Sequence, residues 1–425
     1  MRWLLADWGK SKRERFDAVV KGLRGLGHEV VRIPRNDMKR RPDLLEAIEC
    51  GGFDALITWQ RFFRMQRDIR GALTRSGIRT VYMDFGFVPH YQSVVFDTEG
   101  ENATSSWPAM WRSGGVPTPE PEFMAAAERL VEDAAARVAR LDCPLGDDSE
   151  VPRRPFIFVP LQRTGDSVVK YDSSVNDFGA LVRWVLALAD DHWFVVIKTH
   201  PLDRELDLGV ADHEPGRHVV LRNAFGEANE AACDWLLANA SAVVGINSNM
   251  LFRAMCFGTP VIATGRGWHS GSGVVHEVDG VAGLESLSVP DLDRSAQVRY
   301  IGFALSRQLQ FSELTDPGKL GPLLARLEPQ ERKGRAVHRK KEAGMSKVPR
   351  VFHQVWLGGD VPEGLLRVQQ RMLELHPGWE HVLWTEDTLP PLINAEQFDE
   401  APEPQFKADV ARYELLARFG GVYVD

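Results

Sequence analysis

The chain has 425 residues and a mass of 47.7 kDa, and it is 44% hydrophobic and 26% charged. It is long enough for two or three domains with buried cores and too apolar to be disordered. Lys and Arg number 51 against 59 Asp and Glu, a net charge of -8, which gives no general attraction to nucleic acid or anionic lipid. No apolar run reaches the roughly eighteen residues of a membrane span. The four cysteines, Cys50, Cys143, Cys233 and Cys256, have neither zinc-site spacing nor the density of a disulfide scaffold, which fits a reducing cytoplasm. The N-terminus, with one basic residue and a short apolar run, lacks a secretory-signal pattern.

Short β-rich runs at 3–6, 30–33, 55–58 and 80–83 alternate with helical patterns at 15–26, 44–50 and 63–76. That βαβ rhythm predicts a parallel, Rossmann-like sheet covered on both faces, in a first domain over residues 1–150. A helix is predicted over 124–141, followed by a connection over 143–155 that holds three prolines. The rhythm then restarts, with strands at 156–159, 193–197, 218–221, 242–246 and 261–263 and helices at 178–188, 227–239 and 250–257. A second Rossmann-like domain over 151–325 follows, and two such halves place a ligand cleft at the carboxyl ends of their strands. Residues 326–347 carry eight basic side chains and three glutamates with almost nothing bulky and apolar, the composition of a solvated linker. A third α/β pattern occupies 348–425.

Three segments carry candidate chemistry. Val159-Pro160-Leu161-Gln162-Arg163-Thr164-Gly165-Asp166-Ser167 leaves a strand at the catalytic edge of its sheet. There Asp166 can act as nucleophile or base, and Gln162 can fix it or a substrate hydroxyl; an Asx turn capping the next segment is an equally good account. Lys198-Thr199-His200-Pro201 follows the strand 193–197, and proline ends that strand beside the histidine. An imidazole beside a lysine suits a phosphate leaving group. Gly245-Ile246-Asn247-Ser248-Asn249 opens a helix whose amide terminus favours phosphate, although plain capping would select the same residues. Gly258-Thr259-Pro260-Val261 and Gly265-Arg266-Gly267 complete the set.

Taken in order, Gln162 to Ser167, Lys198-Thr199-His200-Pro201, Asn247-Ser248 and Gly258-Thr259-Pro260-Val261 with Gly265 resemble the motifs of the capsule polysaccharide biosynthesis family, which includes retaining β-Kdo transferases using CMP-Kdo. Met83-Asp84-Phe85-Gly86-Phe87 and Asp97-Thr98-Glu99-Gly100 resemble its acidic-x-Gly-Phe and Asp-x-x-Gly segments, so the likeness covers about residues 80–270. The resemblance implies a GT-B-like pair of Rossmann-like domains. It implies Asp166 as catalytic carboxylate, His200 assisting CMP departure and Asp84 as acid or base on the acceptor side. Gln162, Ser167, Lys198, Asn247, Ser248 and Arg266 would serve the donor. No metal cofactor is expected for this module. Two departures stand out: Val88-Pro89-His90 replaces the usual Arg-Ser, and Arg253 stands where the family has a glutamate. Arg266 and His269 are the groups that would compensate at the donor carboxylate.

At the C-terminus, Val351-Phe352-His353-Gln354-Val355-Trp356, His376-Pro377-Gly378-Trp379, Lys407-Ala408-Asp409-Val410-Ala411-Arg412 and Gly420-Gly421-Val422-Tyr423-Val424-Asp425 are similar to the start of the sugar-binding-region glycosyltransferases with a DXD motif. The likeness implies a truncated GT-A-like segment, with Asp425 the first carboxylate of a Mn²⁺ or Mg²⁺ site that is incomplete here. His353, Gln354 and Trp356 read as strand-edge and core residues, and Asp409 with Arg412 as a structural ion pair. The implied reaction moves Kdo, or a related ulosonic acid, from a CMP conjugate to a saccharide or glycolipid acceptor. It would take place in the cytoplasm, at the inner membrane face beside polysaccharide-synthesis machinery. A UDP-sugar transferase or epimerase and a non-catalytic assembly scaffold are the alternatives.

Overall fold

The computed structural model describes residues 1–7, 13–34, 41–59, 67–140, 151, 154–175, 177–189, 192–203, 205–222, 229–278, 289, 291, 293–327, 350–359, 361–390, 392 and 395–424. The chain forms two compact units, Met1–Glu331 and Arg332–Asp425. Most of the predicted linker, residues 328–347, and Asp425 lie outside the described residues.

The first sheet begins with β1 (Arg2–Asp7), β2 (Glu29–Pro34), β3 (Ala55–Trp59) and β4 (Arg79–Phe85), joined by α1 (Arg13–Gly25), α2 (Arg41–Cys50) and α3 (Arg67–Ser76). These four strands are parallel, and β1 lies between β2 and β3, with Leu4 beside Val31 and Leu56. The expectation of a wholly parallel sheet is corrected at β5 (Ser93–Asp97), which runs antiparallel to β4 with Val95 opposite Asp84. Only residues 86–92 separate the two strands, too few for the crossover that parallel neighbours need. The chain then forms α4 (Trp107–Gly114) and α5 (Pro121–Ala139).

The second sheet contains β6 (Phe156–Pro160), β7 (Phe194–Lys198), β8 (His213–Glu214), β9 (His218–Leu221), β10 (Ala242–Gly245), β11 (Val261–Ala263) and β12 (His276–Glu277), in the order β12-β11-β10-β6-β7-β9-β8. Its helices are α6 (Ser167–Asp172), α7 (Phe178–Ala189), α8 (Asn229–Asn239), α9 (Asn249–Phe257) and α10 (Arg294–Ser306). β6 and β7 are buried along their whole length, as the central strands of a sheet covered on both sides must be. Strand alternation divides them: Phe156, Phe158, Phe194 and Val196 join one core, and Ile157, Val159, Val195 and Ile197 the other.

The chain then crosses back. β13 (Gln308–Gln310) pairs antiparallel with β5, and α11 (Pro317–Arg326) packs Leu320, Leu323 and Leu324 into the core that holds Phe16, Val19 and Leu23. Residues 308–326 therefore complete the first sheet rather than the expected second domain. Conversely α5, expected in the first domain, packs on α10, where Gly302 has no room for a side chain: a Cβ there would stand 2.9 Å from Pro119 and 3.1 Å from the Phe123 carbonyl. The boundary at 150 is corrected accordingly. The second lobe is a contiguous insert beginning near residue 120, and the first lobe is closed by the chain that follows it.

An aromatic cluster fills the junction of the two lobes. Phe87, from the loop after β4, lies 4.6 Å from Phe252 on α9, and Trp107 lies 4.7 Å from Trp268. Trp111 lies 4.9 Å from Phe303 on α10.

The second unit is a parallel three-stranded sheet of β14 (Val351–Val355), β15 (Glu380–Trp384) and β16 (Val422–Tyr423), in the order β15-β14-β16, with α12 (Glu363–Leu375), α13 (Ala395–Glu400) and α14 (Pro404–Phe419). Phe352 stacks on Trp379 at 4.4 Å, and Ala411 and Leu415 are buried. His353 and Gln354 are buried in its central strand: Trp384 Nε1 donates to His353 Nδ1 at 3.1 Å, and His381 Nε2 lies 2.8 Å from Gln354 Oε1. Arg412 pairs with Asp409 on one face of α14. Among the described residues no helix is long and apolar enough to cross a membrane.

One buried side chain, on β13, holds the loop that carries Phe87 into this cluster. Gln308 is 9% exposed; its Oε1 accepts from Phe87 N–H at 2.8 Å, and its Nε2 donates to the Val88 carbonyl at 2.6 Å. Gln308→Leu keeps the volume and leaves those backbone groups unpaired, so it should cost about 1–3 kcal/mol in chemical denaturation. An unchanged midpoint would show that the bridge contributes nothing.

Candidate active site

β6 lies between β7 and β10, all three parallel, so the loops at their carboxyl ends emerge side by side. The first of these loops contains a tight turn over Arg163-Thr164-Gly165-Asp166, closed by Asp166 N–H to the Arg163 carbonyl at 3.1 Å. Gly165 has φ +75, which suits glycine at that turn position. The second contains a turn over His200-Pro201-Leu202-Asp203, closed by Asp203 N–H to the His200 carbonyl at 2.9 Å. Pro201 takes the turn position where its fixed φ costs nothing.

Gln162 ties the first loop to the third. It is 7% exposed; its Nε2 donates to Asn247 Oδ1 at 3.1 Å and approaches Asp166 Oδ2 at 3.4 Å, and its Oε1 accepts from Asn247 N–H at 3.2 Å. Asn247 Nδ2 in turn donates to the carbonyls of Val168 and Arg266, each at 3.0 Å. Three motifs distant in sequence thus share one hydrogen-bonded frame. Asp166 also caps α6, accepting from Val168 N–H at 3.2 Å, and Ser248 caps α9, accepting from Met250 N–H at 3.1 Å. The capping alternatives weighed from sequence are therefore real, and they coexist with the shared frame.

His200 is half-buried. Its Nδ1 accepts from Leu202 N–H at 3.2 Å, so in the neutral ring the proton resides on Nε2. Burial lowers its pKa. Among the charges acting on it, Asp203 and Asp166 raise its proton affinity while Lys198 and Arg163 lower it. The net direction is downward, which favours the neutral imidazole with its N–H donor at Nε2.

The remaining predicted site residues are placed differently. Lys198 is 4% exposed, its pKa is lowered by burial, and it lies in the field of Cys233 on α8. It is thus a buried group behind the loops. Ser167 is the half-buried first residue of α6. Arg266 is exposed and joins the frame through its backbone: its N–H donates to the Asp172 carbonyl at 2.8 Å. His269, offered as a contact for the donor carboxylate, is instead buried, with Nε2 3.3 Å from the Gly265 carbonyl and its pKa lowered by burial. Arg253 is accounted for by packing: it pairs with the buried Asp234 of α8, which also binds Arg137 of α5 at 3.1 Å. Asp84 belongs to the other sheet, at the carboxyl end of β4, where its Oδ1 accepts from Phe85 N–H at 2.8 Å. Asn249 Nδ2 reaches across to that side, donating to the Phe87 carbonyl at 3.0 Å.

The Asp-x-x-Gly segment has a structural task. Asp97 is 2% exposed and accepts from the Glu99 and Gly100 amides and from the amide and hydroxyl of Ser106, the last at 2.6 Å. Burial nonetheless raises its pKa. Two residues escaped the sequence reading. Thr164 donates both its N–H and its hydroxyl to Asp203 Oδ2, the hydroxyl at 2.6 Å. The only sequence signal was an aspartate three residues after histidine in a proline turn. Beside this contact lies an open depression of about 570 Å³ lined by Thr164, Pro201, Leu202, Asp203, Glu205 and Leu206; its two carboxylates make it a poor seat for phosphate. Among the described residues no group of three or more His, Cys, Asp or Glu is placed to hold a metal ion.

Residues 136–282 match the family described as capsule polysaccharide biosynthesis protein, and residues 362–425 match the glycosyltransferase sugar-binding region containing the DXD motif. The inositol phosphoceramide mannosyltransferase 3 of Schizosaccharomyces pombe is 34% identical over 84 residues, 18% of this chain and 24% of that protein. The chain therefore spans about a quarter of that relative's length. Two solved structures of Thermosulfurimonas dismutans KpsC are similar in fold. The β-Kdo 2,4 transferase shares 17% identity at a TM-score of 0.46, covering 70% of this chain and 89% of that one; the β-Kdo 2,7 transferase shares 16% at 0.47, covering 77% and 100%. The chain thus joins a segment matching the capsule polysaccharide biosynthesis family to one matching the DXD-motif glycosyltransferase region, the same pairing that its motifs resemble.

Proposed function

We propose that the first unit is a retaining glycosyltransferase that moves Kdo, or a related ulosonic acid, from a CMP conjugate to a saccharide or glycolipid acceptor. The observation that carries the reading is the common frame of Gln162, Asp166 and Asn247, with His200 electrostatically coupled to Asp166. Asp166 attacks the anomeric carbon and CMP departs, its phosphate accepting a hydrogen bond from His200 Nε2–H and facing the Ser248-capped terminus of α9. An acceptor hydroxyl, deprotonated by Asp84, then attacks the same carbon from the opposite face and releases Asp166; two inversions give retention. Reaction at a membrane surface, beside polysaccharide-assembly machinery, belongs to the same proposal. In the second unit, Asp425 would be the DXD carboxylate for Mn²⁺ or Mg²⁺; it lies outside the described residues, and no step is derived through it.

The scaffold alternative draws on the capping roles, and one substitution separates it. Asparagine caps a helix as well as aspartate does but cannot form the glycosyl ester. Asp166→Asn should therefore keep the folding midpoint and lose transfer by at least about 1,000-fold, measured with CMP-Kdo and simple saccharide acceptors with and without EDTA. Retained transfer in this variant, or an inverted anomeric NMR signal in the product, rules out the double displacement.

Donor class is read by thermal stabilisation. CMP should stabilise the protein more than UDP or GDP at equal concentration, and the reverse order overturns the donor assignment. Because the free imidazole has a lowered pKa and a bound phosphate raises it, proton uptake accompanies binding. CMP affinity should therefore rise as pH falls from about 8 to about 6.5, more steeply in the native protein than in His200→Gln. Equal slopes would remove His200 from the phosphate site.

A further inference from the structure

The two turns that carry Asp166 and His200 leave neighbouring parallel strands in register, Pro160 beside Lys198. Their backbones are joined at the strand ends by Leu161 N–H to the Lys198 carbonyl at 2.9 Å. Beyond that point each turn is closed by its own backbone hydrogen bond, Asp166 N–H to Arg163 and Asp203 N–H to His200, and strand pairing no longer dictates their separation. One carboxylate spans the gap. Asp203 Oδ2 accepts from both the N–H and the Oγ1 of Thr164, the hydroxyl at 2.6 Å. Thr164 is two residues before Asp166, and Asp203 three after His200, so the contact joins the two turns close to both groups. The hydrogen bonds favour the carboxylate form, and the Asp203 pKa is lowered.

We propose that Asp203 is a positioning residue that latches the Arg163–Asp166 turn to the His200–Asp203 turn and so sets the spacing between Asp166 and His200. The inference rests on the function proposed above for those two residues, while the latch itself is a statement about geometry. Asp203 takes no part in the chemistry: its Oδ2 is engaged by Thr164, and it acts through the placement of the two groups that do. A displacement of about 1 Å between reacting groups is enough to cost about 100-fold in rate.

Two variants separate the latch from the charge. Asp203→Asn keeps an oxygen that accepts from Thr164 and removes the negative charge; Asp203→Ala removes both. In hydrogen exchange read by mass spectrometry, the peptide spanning residues 161–171 should exchange about tenfold faster in Asp203→Ala and close to the native rate in Asp203→Asn. Transfer from CMP-Kdo should fall about 100-fold in Asp203→Ala, with Asp203→Asn recovering most of the loss and shifting the acid limb of its pH profile downward as His200 loses a neighbouring anion. Unchanged exchange in Asp203→Ala overturns the latch, and so does equal loss of transfer in both variants. Should Asp203→Ala fail to fold, Thr164→Val removes the hydroxyl half of the contact and must accelerate exchange in the same peptide, or the proposal fails. If the native protein transfers no ulosonic acid at all, the proposed function falls while the exchange data still decide the latch.

Discussion

The site depends on one constraint, the parallel pairing of β6 between β7 and β10. Parallel strands place their carboxyl ends on a single edge, and loops distant in sequence become neighbours there without any attraction among themselves. Hydrogen bonding then refines what topology supplies. Gln162 does this for the first and third loops, because one buried amide engages Asp166, the Asn247 side chain and the Asn247 backbone together. The Asp166 carboxylate is thereby held by groups that belong to the end of the sheet, the arrangement a preorganised site requires.

Electrostatics at this edge follow from burial more than from net charge. Burial lowers the His200 pKa, against the pull of Asp203 and Asp166 and with that of Lys198 and Arg163. Lys198 is buried, and burial lowers its pKa. The substitution of Arg253 for the family's glutamate also finds its cause in packing, since its guanidinium shares Asp234 with Arg137 and so ties α9 to α8 and α5.

Much of this was legible in the sequence, for identifiable reasons. Strand positions such as 156–159 and 193–197 declare themselves through continuous β-branched and aromatic runs, and glycine, proline and capping residues mark where each strand gives way to a loop. The meeting of Gln162, Asp166 and Asn247 was readable because α/β topology sends the carboxyl ends of parallel strands to the same edge. What escaped was of another kind. The antiparallel β5 and β13 are short, and pairing between residues 93–97 and 308–310 is a long-range choice without a local signature. Asp203, Thr164 and Gln308 are polar side chains whose partners are chosen by tertiary proximity. The burial of His269 could likewise not be read from the glycine-rich segment around it.

The return of the chain through β13 and α11 also imposes an order on biosynthesis. The outer edge of β5 and the apolar face of α1 are made early, but the strand and helix that cover them are synthesised only after the whole second lobe. On the ribosome the first lobe therefore emerges with an open strand edge and an uncovered core, the kind of surface on which nascent chains associate or recruit chaperones. The inserted lobe has no such debt: it can complete itself while its host is still unfinished, so the later-made half of the molecule is the one equipped to mature first.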